Sequence, residues 1–302
     1  MKSPVLFLLL SFLVVSGCAA LRTPDTAPSA PDYPVDTILD AATGREVSFE
    51  SMIAELETVP VVYVGETHTN EAHHEIQLRI LKALQERRPG NIAVGMEMFA
   101  RPYQEVLGRW VEGGLSEDAF LRKTHWYANW RHDFSLYRDL LHYIRENRIP
   151  LVALNIEFHI PSKIAAGGID SLLPYQEKQL PQERDLTDED HREYVRSQYE
   201  RHTGHVADRY AFDDFYAAQV VWDEAMAEAV SRHGKDRSMV VFAGSGHIAQ
   251  GYGIPERARR RTGLAYRSVI PREKGEPVDF SAGDYIWIMP AAQGHGFMGD
   301  AP

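Results

Sequence analysis

Six short apolar runs, at residues 61–64, 92–96, 151–154, 239–243, 265–270 and 285–288, alternate with amphipathic stretches along most of this chain. The first four are almost continuously apolar, the pattern of strands covered on both faces. The fifth carries Arg267 and Ser268 and reads as an edge strand. Residues 71–85 place Ala72, Ile76, Ile80, Ala83 and Leu84 on one helical face, which Leu81 widens and Leu78 leaves. Residues 134–146 repeat this with Leu136, Leu140 and Ile144, and Asn147 closes the helix ahead of Ile149-Pro150. Residues 187–201 and 212–231 form a long helical pair, the first strongly charged and the second apolar on one side. Alternating β and α predicts an α/β fold: a mostly parallel central sheet flanked by helices, in one domain over residues 37–302. A helical insertion at about 160–211 falls between the third and fourth core strands.

Charge and cysteine content exclude several classes of function. The 32 Lys+Arg against 43 Asp+Glu leave a net charge of -11, and a general nucleic-acid binder needs a basic face. The cluster Arg257, Arg259, Arg260 and Arg261 is too small to reverse that balance. The single cysteine, Cys18, rules out an intramolecular disulfide and any Cys-based zinc or iron–sulfur site. The absence of C-x-x-C-H rules out covalent c-type haem.

The single cysteine also says where the chain lives. Lys2 precedes an apolar run at residues 5–15, broken only by Ser11. At helical rise that run covers about 16 Å, against the roughly 30 Å of a membrane core. A basic start, a short apolar stretch and small residues describe a signal peptide over residues 1–17. Its end, Val15-Ser16-Gly17-Cys18, resembles the bacterial lipobox, in which the cysteine is lipidated, and Ala19 after it resembles outer-membrane sorting. Residues 18–36, rich in Pro, Ala, Ser and Thr, read as a lipid-anchored tether.

In open α/β sheets ligands bind beyond the carboxyl ends of the strands. Here the first run leads into Gly65-Glu66-Thr67-His68 with Asn70, His73 and His74, and the second into Glu97. The third leads into Asn155 and Glu157, and the fourth into Gly244-Ser245-Gly246-His247. Any one of these residues alone fits a helix cap or a satisfied core group. Together Glu66, His68, Glu97 and His247 supply the imidazoles and carboxylates that general acid–base chemistry or a divalent metal requires. His73-His74-Glu75 is not H-E-x-x-H and reads as a helix surface, while Ser245 lacks the G-x-S-x-G turn of a nucleophile.

These residues resemble the ChaN family of haem-binding uptake lipoproteins, a branch of the Tiki/erythromycin-esterase-like superfamily. The likeness is carried by Val62-Tyr63-Val64-Gly65-Glu66-Thr67-His68, Gly95-Met96-Glu97-Met98-Phe99 and Phe134-Ser135-Leu136-Tyr137. It continues through Ile149-Pro150-Leu151-Val152-Ala153-Leu154-Asn155 and Trp222-Asp223-Glu224-Ala225-Met226-Ala227 to Gly244-Ser245-Gly246-His247 and Gly251-Tyr252-Gly253-Ile254-Pro255. The resemblance implies a homodimer binding two non-covalent b-type haems face to face at its interface, each ferric iron held by a tyrosine. It further implies an outer-membrane haem receptor as partner. A phenolate is a hard anionic ligand suited to ferric iron. The candidates are Tyr137, Tyr194, Tyr199, Tyr210 and Tyr216.

Haem transport leaves the Glu66/His68/Glu97/His247 cluster without a task, whereas similar positions in related superfamily members are thought to carry hydrolysis. Two expectations follow: a haem-binding protein of iron acquisition, or an envelope hydrolase, metal-dependent or not, built on that cluster. A lipoprotein that only scaffolds a partner would explain the tether but not the strand-end carboxylates.

Overall fold

The structure of the chain, a computed structural model, describes residues 32–201 and 210–291. The expected signal segment, Cys18 and most of the tether lie outside the described residues. Among the described residues no helix is long and apolar enough to cross a membrane.

Two short strands, β1 (Ile38–Asp40) and β2 (Arg45–Val47), precede α1 (Phe49–Leu56). Next come β3 (Val61–Glu66), α2 (Glu71–Arg87) and β4 (Ile92–Ala100). The helices α3 (Gln104–Val111), α4 (Glu117–Thr124), α5 (Trp126–Asn129) and α6 (Ser135–Glu146) lead to β5 (Leu151–Asn155). Between β5 and β6 (Ser238–Gly244) lie α7 (His159–Gly167), α8 (Pro174–Glu177), α9 (Glu189–Arg201) and α10 (Phe212–His233). The chain then forms α11 (Ser245–Ile248), α12 (Ile254–Thr262), β7 (Tyr266–Glu273) and β8 (Tyr285–Met289).

The strands make one sheet in the order β2-β1-β8-β7-β3-β6-β4-β5. From β8 to β5 every pairing is parallel, and β1 joins β8 and β2 antiparallel. The mostly parallel α/β sheet expected from the apolar runs is present. One expectation fails: β7 is an interior strand, paired with β3 on one side and β8 on the other. Its polar residue is tolerated because Ser268 is satisfied inside the sheet, its N–H and Oγ donating to Asp284 Oδ2 at 2.8 and 3.0 Å.

Successive side chains of a strand point to opposite faces, so each apolar run contributes to two cores. On one face Val62, Val64, Val94, Met96, Val240 and Phe242 meet Ile76, Ile80 and Leu84 of α2 and Leu140 and Ile144 of α6. On the other, Tyr63, Val152 and Val241 meet Met226 and Val230 of α10 and Ala258 of α12. Each buried Val, Leu or Ile contributes about 1.5–3 kcal/mol of transfer free energy. This two-sided burial fixes which helices flank the carboxyl ends of β3, β6 and β4. Polar groups converge there from both layers.

Candidate acid–base site at the sheet edge

β3 ends with Glu66 directly opposite Gly244, the last residue of the parallel strand β6. The even spacing of Val62, Val64 and Glu66 turns the carboxylate toward the α2 and α6 side. Glu97 comes from the middle of β4, where the register with β5 breaks between Met96 and Ala100. Such a bulge re-aims a side chain. It is held by Asn155 Nδ2 donating to the Glu97 carbonyl at 3.2 Å. His247 lies in α11, one turn beyond the end of β6.

Glu66 is buried and accepts three hydrogen bonds: from His68 Nδ1 at 2.8 Å, the Tyr137 hydroxyl at 2.6 Å and Gln77 Nε2 at 2.8 Å. Burial opposes its ionisation, yet nearby His74, the His68 imidazole and the Tyr137 hydroxyl outweigh that and bring its pKa down to about 2. His68 loses affinity for protons by burial but gains more from the Glu66 hydrogen bond and the Glu97 charge, so its pKa rises. Gly244 lets these groups approach closely: a Cβ there would lie 3.0 Å from His68 Cε1 and 3.5 Å from Glu97 Oε2.

On the far side, Glu97 Oε2 accepts the Gly244 N–H at 2.7 Å, and Glu97 Oε1 lies 3.5 Å from His247 Nε2. His247 Nδ1 donates to Asp223 Oδ1 at 2.6 Å. Burial works against the imidazolium, but Glu97 and Asp223 together raise the His247 pKa to about 9. Asp223 is fully enclosed. The charge of His247 and the hydrogen bonds from His191 and His247 overcome its burial and hold its carboxyl well below the usual range.

The arrangement is two carboxylate-bound imidazoles, Glu66–His68 and Asp223–His247, with Glu97 between them. Aromatic rings connect the two. Trp130 packs edge-on to His68 at 4.6 Å between centroids, Phe158 lies 5.9 Å from Trp130 and 6.4 Å from Trp222, and Trp222 lies 5.9 Å from His247. His132, 5.1 Å from His68, is kept neutral by burial and by the neighbouring His68, with its pKa lowered to about 4. Among the described residues no group of three or more His, Cys, Asp or Glu side chains is disposed to hold a metal ion. The chemistry the geometry offers is proton transfer at two imidazoles of fixed orientation.

The four residues singled out at the strand ends thus meet in one place. Their neighbours have supporting tasks. Asn70 caps α2 through the Ala72 N–H and ties it to Glu273 and the Pro290 carbonyl. His73 and His74 are not on a helix surface, as their sequence suggested, but buried. His73 Nδ1 accepts the Thr67 N–H at 2.8 Å, and His74 lies 3.5 Å from Glu66.

The candidate haem tyrosines are dispersed. Tyr137 is buried against Glu66, and burial together with that carboxylate raises its pKa well above the usual phenol. Tyr216 is equally buried, donates to the Asp188 carbonyl at 3.1 Å, and has its pKa pushed up to about 12, mainly by burial. Tyr194 is half-buried beside Tyr252, and burial and Asp223 push its pKa up to about 12. Tyr199, at the end of α9, donates to the carbonyl of half-buried Tyr210 at 2.6 Å.

Sequence reasoning missed Asp223, His191, Gln77 and Arg257. A signal for Asp223 existed: Asp223-Glu224 interrupts the apolar run from Val220 to Ala227, and a charged pair inside such a run is buried or paired. His191 and Gln77 carried no comparable signal.

The sequence profile of a family described as "Haem-binding uptake, Tiki superfamily, ChaN" matches residues 52–258, more than half of the chain. Among proteins of curated function none matches. A solved structure described as cofacial haem binding to ChaN of Campylobacter jejuni is 22% identical with a TM-score of 0.68, covering 83% of this chain and 95% of that one. The type III effector HopBA1 is 12% identical with a TM-score of 0.46, covering 87% and 98%. An erythromycin esterase mutant in its open conformation is 13% identical with a TM-score of 0.45, covering 78% and 76%. The Campylobacter jejuni likeness shows a shared fold.

Proposed function

Since the chain belongs to the ChaN family of haem-binding uptake proteins in the Tiki superfamily, we propose that it binds haem as cargo for iron acquisition. The family match over residues 52–258 is the observation that carries this reading. The proposal has two copies of the chain enclosing two non-covalent b-type haems face to face, with one tyrosine phenolate on each ferric iron. The Campylobacter jejuni relative, described by cofacial haem binding, supports that geometry. Tyr194, Tyr199 and Tyr210 are the preferred ligands, because Tyr137 and Tyr216 are enclosed in the core whereas these three are only partly buried. Lipidation at Cys18 would hold the dimer at the outer membrane, where a haem receptor would exchange cargo with it. The lipobox-like Val15-Ser16-Gly17-Cys18 supports this placement.

Titration of the purified protein with hemin tests the reading. It predicts saturation at one haem per chain and a tyrosinate-type ferric spectrum. Phe substitution at one of Tyr194, Tyr199 or Tyr210 should abolish that spectrum, while Tyr216→Phe leaves it intact. Non-saturable addition would refute it.

A second reading, an envelope hydrolase, is favoured by one observation: the paired carboxylate-bound imidazoles at the sheet edge. In this reading His68, the more exposed of the two, accepts a proton from water while protonated His247 donates to the leaving group. The ring arc of Trp130, Phe158 and Trp222 suits a substrate with a flat apolar group beside the scissile bond. A divalent metal in the cluster would be an addition to this reading, tested by metal analysis of the purified protein. Glu66→Ala should abolish such hydrolysis and leave haem binding within about twofold, the spread expected of remote sites.

A further inference from the structure

Beyond Asp223 from His247, a second line of polar side chains runs through the layer of α9, α10 and α12. Arg257 is fully buried in α12 and Glu224 in α10, and Arg257 Nη1 donates to Glu224 Oε1 at 2.5 Å. Arg261 also reaches Glu224. A simple buried ion pair would be complete at this point. It is not: Arg257 Nη2 lies 2.8 Å from Nδ1 of His191, and His191 Nε2 lies 3.2 Å from Asp223 Oδ2.

The chemistry of these groups fixes the protons. A guanidinium only donates, so His191 Nδ1 must present its lone pair to Arg257. The neutral ring then carries its proton on Nε2, which points at Asp223. Asp223 has one oxygen taken by His191 and the other by Nδ1–H of His247 at 2.6 Å, which leaves the carboxylate a single orientation. His247 Nε2 is thereby turned toward Glu97. The backbone closes the arrangement: a Cβ on Gly253 would lie 2.3 Å from the His247 carbonyl oxygen and 3.1 Å from Asp223 Oδ1.

We infer that Arg257 and His191 are positioning residues: through Asp223 they fix the orientation of the His247 ring, so that its Nε2 faces Glu97 at the sheet edge. The inference rests on the second reading above, in which that cluster performs acid–base chemistry. Stability alone does not account for the line. A buried ion pair is weak support for a fold, and apolar side chains of similar volume do as well or better. A line of four hydrogen-bonded groups ending on one imidazole orients that imidazole.

The test is nitrogen-15 NMR of histidine-labelled full chain, which reads the tautomer of each ring without any substrate. His191→Phe and His247→Gln assign the two sets of signals. In the wild type, His191 should be the neutral Nε2–H form by about tenfold or more, the bias one hydrogen bond to a charged group imposes. Arg257→Met should shift the His247 ring signals, while the Asp223 carboxylate still holds the His191 proton on Nε2. His191 found as the Nδ1–H form or as the imidazolium in the wild type overturns the inference, and this needs no variant to fold. His247 signals unchanged in folded Arg257→Met also overturn it. The acid–base reading fails separately, if no aryl ester is hydrolysed in a Glu66-dependent way while the tautomers are as expected. The positioning geometry then stands and its catalytic purpose falls.

Discussion

Glu66→Gln probes what the buried carboxylate contributes, because it keeps the side-chain shape while removing the charge and turning one acceptor oxygen into an NH2 donor. The folded pKa of Glu66 is about 2 against an ordinary 4.5. A 2.5-unit depression corresponds to about 3 kcal/mol of stability at neutral pH. The sign follows from the depression: the contribution is complete above about pH 4.5 and is lost as pH falls through about 2. Glu66→Gln should therefore lower unfolding free energy by about 3 kcal/mol at pH 7, or roughly 6–10 °C in melting temperature for a domain of this size. At pH 3 the penalty should shrink to about half. Urea unfolding of wild type and variant at both pH values measures it. A penalty below about 1 kcal/mol at pH 7, or one equal at the two pH values, would refute the account of His68, Tyr137 and Gln77 as partners of an ionised Glu66.

His247 has the opposite sign. With its folded pKa raised to about 9, its contribution is complete below about pH 6.5 and is lost as pH rises through 9. The wild-type urea midpoint should fall across that window and that of His247→Gln should stay flatter. Gly244→Ala should cost about 1–3 kcal/mol by overpacking and displace His68 from Glu66. Its check is thermal melting together with the His68 ring signals in NMR, where an unshifted His68 would contradict the close approach. Asp223→Asn should bring the His247 pKa back toward 6.5, read by NMR titration. A pKa remaining near 9 would assign the shift to Glu97 alone.

The fold was legible because it rests on burial. Strands covered on both faces must be apolar throughout, and residues 61–64, 92–96, 151–154 and 239–243 show it. What escaped was β1 and β2, three residues each. They move the sheet edge outward beyond β8, and it is the pairing of β8 with β7 that makes β7 interior despite Arg267 and Ser268. The site was half legible. Glu66, His68, Glu97 and His247 directly follow the apolar runs, so the rule that ligands meet strand ends finds them, although Glu97 lies within β4. Asp223 and His191 reach the site laterally from helices, 24 and 56 residues before His247 in sequence. No strand-end rule finds those. The role of Tyr137 was equally hidden, since a hydroxyl that satisfies Glu66 across 71 residues leaves no local pattern.

The central claim is that this chain carries haem, and titration with hemin tracked jointly by absorbance and elution volume tests it most directly. Saturation at one haem per chain, a tyrosinate-type ferric spectrum and conversion of monomer to dimer are the predicted results. Hemin that adds without saturation and leaves the elution volume unchanged would contradict the claim.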